Sequence, residues 1–202
     1  MKIICIGRNY SAHAKEMGAE TPKEPILFLK PETALLRDTH FYYPKFTNDL
    51  HFECELVVKI NRMGKNIEVA HAHKYYNEIS LGIDFTARDL QKTCKEKGLP
   101  WEISKAFDNS AFVSTIWIKK NTIDENNIAF SLEQNNKIMQ QGNSNNMLFQ
   151  IDSLIAHITK YFTLKTGDLI FTGTPEGVGP IQIGDKLIGK IGQTEMFNIS
   201  IR

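Results

Sequence analysis

The chain has 202 residues, 42% apolar and 23% charged, enough to bury a core unaided, which excludes a disordered chain. Twenty-four Lys and Arg against 23 Asp and Glu leave a formal net charge of +1, excluding a general electrostatic pull toward nucleic acid or anionic lipid. No run approaches the ~18 apolar residues of a membrane span.

The N-terminal Met1 to Gly7 run is too short for a signal peptide and ends at Arg8 and Asn9, so it reads as a buried first strand. Ser11 and Gly18 are the start and stop signals of a short helix over about 11–18. Pro25 to Leu29 reads as a strand. Leu50 to Ile60 reads as a longer one, with Phe52, Cys54, Leu56 and Val58 on one face and Glu53, Glu55, Val57 and Lys59 on the other. After a turn at Asn61–Asn66, Ala70 to Tyr76 fits a helix and Ile79 to Ile83 a short strand that delivers Asp84.

Thr86 to Lys97 favours helix, with Gly98 as its C-terminal cap and Pro100 preventing continuation. Phe112 to Ile118 alternates as a strand, and Ile128–Leu132 with Lys137–Gln141 flank Asn135-Asn136 as a hairpin. Met147 to Phe162 carries an apolar stripe of helical period, and strands follow at Asp168–Gly173 and Lys186–Ile191. Without repeats or a proline-rich linker, residues 1–202 read as one strand-dominated α+β domain. Cys5, Cys54 and Cys94 stand apart with no C-x-x-C, which suits small core hydrophobes in a reducing cytoplasm.

Strand alternation sets Glu53 and Glu55 on one side, with Cβ atoms roughly 7 Å apart, a span one cation bridges. As an isolated E-x-E the pair better describes two surface acids on a solvent-facing strand. Asp84, at the end of an apolar strand, reads either as a helix N-cap or as a third carboxylate of a hard oxygen site suited to Mg²⁺ or Mn²⁺. His13 and Glu16, three apart on a helix, face one side and form a candidate general-base pair or part of a solvated face. Lys105 lies among apolar neighbours and reads either as an amine placed to stabilise developing negative charge or as an ordinary solvated lysine. Arg88 and Gln91 share a helical face and can bind a carboxylate or point to solvent. Phe171 to Pro180 runs from a strand into a glycine-rich turn that offers N–H groups to an anion, without a Walker or dinucleotide pattern. His71 and His73 form H-x-H but diverge on a helix, so they read as solvated.

In order and spacing, these segments resemble the fumarylacetoacetate hydrolase family, closest to its single-domain acylpyruvate hydrolase and oxaloacetate decarboxylase branch. The likeness runs through Gly7-Arg8-Asn9-Tyr10, His13-Ala14-Lys15-Glu16, Phe28-Leu29-Lys30-Pro31, Glu53-Cys54-Glu55-Leu56 and the Gly82 to Gln91 stretch. It continues through Lys97 to Trp101, Lys105-Ala106-Phe107 and Thr172 to Gly179. The resemblance implies a mixed β-roll fold, a homodimer, and Glu53, Glu55 and Asp84 as ligands of Mg²⁺ or Mn²⁺. It also implies His13 with Glu16 as the water-activating pair, Lys105 at the reacting oxygen, and Arg88, Gln91 and Thr174 as contacts of a small 2-oxo acid. The implied reaction is hydrolysis of a C–C bond in acylpyruvate-type 2,4-dioxo acids through a pyruvate enolate. Oxaloacetate decarboxylation, oxo-acid tautomerisation, isomerisation or hydration at the same site, and non-catalytic oxo-acid binding, are the alternatives. Where the family often has a proline shortly after Lys105, this chain reads Asp108-Asn109-Ser110-Ala111-Phe112-Val113, a loop of different shape.

Overall fold

The computed structural model of the protein describes residues 1–16, 18 and 20–202. Its N-terminal half contains β1 (Ile3–Gly7), α1 (Ser11–Glu16), β2 (Ile26–Lys30), β3 (Leu35–Leu36), β4 (His40–Phe41), β5 (Leu50–Phe52), β6 (Cys54–Ile60), α2 (Val69–Ala72) and β7 (Tyr76–Asp84). Beyond these lie β8 (Thr86–Ala87), α3 (Arg88–Lys97), α4 (Glu102–Lys105), β9 (Ala111–Val113), β10 (Ile118–Lys119), β11 (Ala129–Gln134) and β12 (Lys137–Asn143). The chain closes with α5 (Ile151–Tyr161), β13 (Leu169–Phe171), β14 (Gly179–Pro180), β15 (Lys186–Ile191) and β16 (Thr194–Ile201).

The apolar N-terminal run becomes an inner strand, pairing antiparallel with β2 and parallel with β13. The resulting sheet runs β2-β1-β13-β6-β7-β9-β3, with β10 beside β7, and is mixed because β3 and β9 also run parallel. It curls as a half-barrel, giving the strand-dominated α+β fold expected. A second sheet, β12-β11-β15-β16-β4, and a short third, β14-β5-β8, complete the strands. Leu56, Val58 and Leu81 of the first sheet share a core with Leu132, Leu187 and Ile199 of the second, while Ile3, Cys5, Val57 and Phe171 form a smaller core. With both faces of β6 covered, its sequence is nearly continuous in apolar residues. The three cysteines are buried and unpaired, as their apolar neighbourhoods imply.

Several sequence expectations shift for tertiary reasons. The expected strand 50–60 is two strands in different sheets, broken at Glu53. The expected helix 86–97 starts at Arg88, because Thr86 and Ala87 pair with His51 and Leu50. The helix expected over 70–76 is the shorter Val69–Ala72, and Tyr76 opens β7. The strand expected over 112–118 is interrupted between Val113 and Ile118.

The long helix begins at Ile151 rather than Met147, since the Leu148 and Phe149 N–H groups donate to the backbone and side-chain oxygens of Asn9. The closing strand β16 had no counterpart in the sequence reading. Of the lid helix expected over 11–18, Ser11–Glu16 is helical and Gly18, at φ 62, donates its N–H to Lys15 O, while Met17 lies outside the described residues. The hairpin turn stands as read, with Asn135 and Asn136 both left-handed.

Candidate active site

Glu53 sits at the joint of β5 and β6, Glu55 follows on β6, and Asp84 ends β7. The antiparallel register sets Cys54 opposite Ile83 and Glu55 opposite Gly82, so the end of β7 falls beside the two glutamates. A hydrogen bond from Asp84 N to Glu53 O, 2.8 Å, fixes the joint. Ligand atoms of all three carboxylates lie within 4.8 Å of one another, all are buried, and among the described residues this is the one group of three or more such side chains able to hold a metal ion.

Cations surround this cage. Lys105 Nζ, carried by α4, is 2.7 Å from Glu53 Oε2, 2.8 Å from Asp84 Oδ2 and 2.6 Å from Thr86 Oγ1. Arg88, on the first turn of α3, donates to Glu53 Oε1 and to Gln91 Oε1, both at 2.7 Å, while its Nε stays buried without a partner. Lys30, buried at the end of β2, brings Nζ to 2.7 Å from Asp84 Oδ1. That contact is a charge pairing off the line of a hydrogen bond, so Asp84 Oδ1 keeps an unused lone pair in a dry site. Three carboxylates with a spare buried oxygen match the donor chemistry of a hard divalent cation.

The electrostatics divide the acids. Burial opposes the charge of Glu53, but Lys105, Arg88 and His13 outweigh it and hold the carboxyl well below its ordinary range. Burial, reinforced by Asp84 and Glu55's neighbour Glu53, pushes Glu55 well above that range despite a 2.7 Å hydrogen bond from Gly173 N. For Lys105, burial disfavours the ammonium, yet Asp84 and Glu53 raise its pKa above the ordinary value.

The glycine-rich turn after β13 binds the protein's own carboxylates. Gly173 serves Glu55, and Gly177 N donates to both oxygens of Glu16 at 3.0 and 3.3 Å. Gly173 has φ 97, and a Cβ there would stand 2.7 Å from the Asn9 Cβ, so glycine is required. Glu16 Oε2 also meets His13 Nδ1 at 3.1 Å, which ties α1 to the turn. His13, Glu53, Glu55, Arg88, Gln91, Lys105 and Thr174 line one cavity of about 40 Å³, with Asp84 directly behind it and Glu16 behind His13. That is room for one or two waters, so a larger ligand must push Lys105, Arg88 or α1 outward. A larger hollow of about 710 Å³ between β7 and the turn after β10 lacks any such convergence of ligands among the described residues.

All nine residues singled out in the sequence therefore gather around one site, while His71 and His73 are exposed, as read. Thr174 contributes less freely than expected: its hydroxyl donates to Cys54 O at 2.9 Å and accepts from Gln140 Nε2 at 2.8 Å. The sequence reading assigned no role to several supporting groups. Lys30 Nζ also donates to the Lys105 carbonyl and, at 3.0 Å, to Ser110 O and Oγ, so the altered loop after Lys105 is organised around a buried ammonium. Asn9 Nδ2 donates to Thr172 O and Phe149 O at 2.7 and 3.0 Å, holding the end of β13 near the cage. A lysine closing an apolar strand just before Pro31 was the available signal for the first, and for Asn9 it was its place in the Gly7-Arg8-Asn9-Tyr10 segment. Among the described residues no helix is long and apolar enough to cross a membrane.

The model of the family fumarylacetoacetate (FAA) hydrolase C-terminal matches residues 2–197. An oxaloacetate tautomerase of Escherichia coli is 44% identical over 189 residues, 92% of this chain and 86% of that protein. A mitochondrial oxaloacetate decarboxylase of Dictyostelium discoideum is 42% identical over 185 residues, 91% of this chain and 85% of its own. The structure of a fumarylpyruvate hydrolase from Pseudomonas aeruginosa, in complex with Mn²⁺ and pyruvate, superposes with a TM-score of 0.93 at 33% identity, covering 100% of this chain and 89% of that one. Shared sequence along nearly the whole length and a shared fold lead to one conclusion: this chain belongs to the fumarylacetoacetate hydrolase family, in the class of its C-terminal domain.

Proposed function

We propose that the protein is a divalent-metal-dependent enzyme that moves a proton beside the 2-oxo group of a short 2-oxo acid, interconverting the keto and enol forms of an acid such as oxaloacetate. The observation that carries this reading is the meeting, in one cavity, of a buried three-carboxylate cage and a histidine oriented by a carboxylate. Similarity to proteins named oxaloacetate tautomerase supports the choice of reaction.

Glu53, Glu55 and Asp84 would hold Mg²⁺ or Mn²⁺, which polarises the 2-oxo group as a Lewis acid. Arg88, with its spare Nε donor, binds the adjacent carboxylate. His13 Nδ1 is engaged by Glu16, which leaves Nε2 to take the proton from C3 as the electron pair moves toward the 2-oxo oxygen. Lys105 donates to the oxygen where negative charge develops. Return of the proton to oxygen gives the enol, and return to carbon restores the ketone.

A second reading, hydrolysis of acylpyruvates, uses the same groups with His13 deprotonating a water that attacks the distal carbonyl, so that the C3–C4 bond breaks and pyruvate enolate leaves. The His13–Glu16 pair and the similarity to a fumarylpyruvate hydrolase favour it. Stopped-flow decay of enol-oxaloacetate with Mg²⁺, run beside pyruvate release from acetylpyruvate, ranks the two. Acceleration of enol decay that falls at least ~100-fold in His13→Ala supports proton transfer by this residue. A rate no faster than Mg²⁺ in buffer overturns the tautomerase reading.

A further inference from the structure

We infer that the groove between β2 and the segment 98–101 is an acyl subsite, which takes the apolar tail of 2-oxo acids longer than oxaloacetate; the inference rests on the oxo-acid reading above. The groove has a volume of about 550 Å³ and is bordered by Leu27, Phe28, Leu29, Leu99, Trp101 and Phe162. Phe28, Trp101 and Lys105 also line the cage cavity, so these side chains are the wall between the two spaces. Hollows of about 710, 570 and 340 Å³ elsewhere share no lining residue with that cavity. An acid held at the cage by its 2-oxo end therefore finds room for a longer chain behind this wall.

Local structure builds the wall and joins it to the chemistry. β2 is the outermost strand of the first sheet, and its run Ile26-Leu27-Phe28-Leu29 stays partly exposed, with Leu29 38% accessible. Apolar side chains left open on an edge strand mark a surface that receives something. Gly98, at φ 63, ends α3 and lets Leu99 N donate to Cys94 O at 2.8 Å, which turns Leu99 and Pro100 toward β2. The Trp101 carbonyl then accepts from Ser104 N, Ser104 Oγ and Lys105 N at 2.9, 2.7 and 3.0 Å. Trp101 thus caps the short helix that carries Lys105 into the cage, and its ring centre lies 6.2 Å from that of Phe28. A ligand that displaces Lys105 shifts α4 and Trp101 with it, which opens the cage toward the groove. The groove's own chemistry selects the tail. Its charged lining residues are Glu102, which is exposed, and Lys105, whose ammonium is engaged by Glu53, Asp84 and Thr86. Among the described residues it offers no free cation to a distal carboxylate, whereas a hydrocarbon tail gains by leaving water.

Calorimetric titration of the Mg²⁺-supplemented protein with 2-oxobutanoate, 2-oxohexanoate and 2-oxooctanoate tests the subsite, with octanoate and 2-oxooctanedioate as controls. Affinity is expected to rise roughly two- to fourfold for each methylene that enters the groove, so that 2-oxooctanoate binds at least ~tenfold tighter than 2-oxobutanoate. Octanoate, which lacks the 2-oxo group, and 2-oxooctanedioate, which carries a second carboxylate, are expected to bind at least ~tenfold more weakly than 2-oxooctanoate. Leu99→Asp and Leu29→Asp, at half-exposed positions outside the catalytic machinery, are expected to weaken 2-oxooctanoate binding about tenfold while that of 2-oxobutanoate changes less than about twofold. Equal affinity across the chain-length series overturns the subsite, the result if a second copy of the chain covered the groove. Octanoate or the dioate binding as tightly as 2-oxooctanoate also overturns it, and so does equal weakening of short and long acids in the variants. A chain-length preference without turnover of any oxo acid would leave the subsite standing and sink only the catalytic reading.

Discussion

Lys105 Nζ lies 2.8 Å from Asp84 Oδ2, and both side chains are buried, the aspartate completely. This ammonium also reaches Glu53 and Thr86, so it brings positive charge to carboxylates that would hold a divalent cation. Cage stability and the proposed metal binding and proton transfer therefore meet at one amine.

Lys105→Met removes that amine and leaves buried acids short of a partner. Loss of one member of a buried ion pair costs ~3–5 kcal/mol, so the variant melts well below wild type in chelator. Mg²⁺ or Mn²⁺ is expected to restore more of the melting temperature in the variant than in wild type. Calorimetric melts with and without metal check this.

The raised pKa of Glu55, caused by burial and by Asp84 and Glu53, sets the sign of a pH effect. As pH rises above the ordinary carboxylate value, the unfolded chain releases this proton while the folded metal-free protein keeps it. The associated stability is complete below that value and declines as pH climbs through the raised one. Glu53, with its lowered pKa, works in the opposite direction and only at acid pH. A cation needs the carboxylate form of Glu55, so metal affinity is expected to increase with pH and binding to release a proton. Titration calorimetry in buffers of different ionisation enthalpy measures that proton directly.

His13→Ala is expected to lower proton transfer by ~10²–10⁴-fold. Glu16→Gln is milder, since the amide oxygen still accepts from Gly177 N but no longer stabilises a protonated His13. Spontaneous loss of CO₂ from oxaloacetate needs no attacking water, so decarboxylation suffers less than hydrolysis in both variants. Parallel assays of the three reactions would reveal the split, and equal losses in all three would remove His13 from a proton-transfer role.

Asn9→Ala deprives Phe149 N of its acceptor and the Thr172 and Phe149 carbonyls of a donor, all in or near the core. A destabilisation of ~2–4 kcal/mol follows from the unpaired buried groups. Denaturant unfolding measures the loss.

Local chemistry in the sequence determined much of this protein. Alternation around Glu53 and Glu55, the cap at Gly98, the left-handed pair Asn135-Asn136 and the apolar stripe of α5 are short-range patterns, and they survive folding. The ordered family segments likewise named all nine residues that now surround the cavity. Tertiary structure alone decided how β5 parts from β6 at Glu53, why Met147 to Gln150 leave the helix for Asn9, and that β16 closes the second sheet. It also revealed Lys30, a fully buried charge whose role depends on Asp84 and Ser110, far away in sequence. Propensity and spacing describe neighbours along the chain. Strand breaks and charge partners depend instead on which distant groups are desolvated together, and only the folded register brings those groups within a few ångströms.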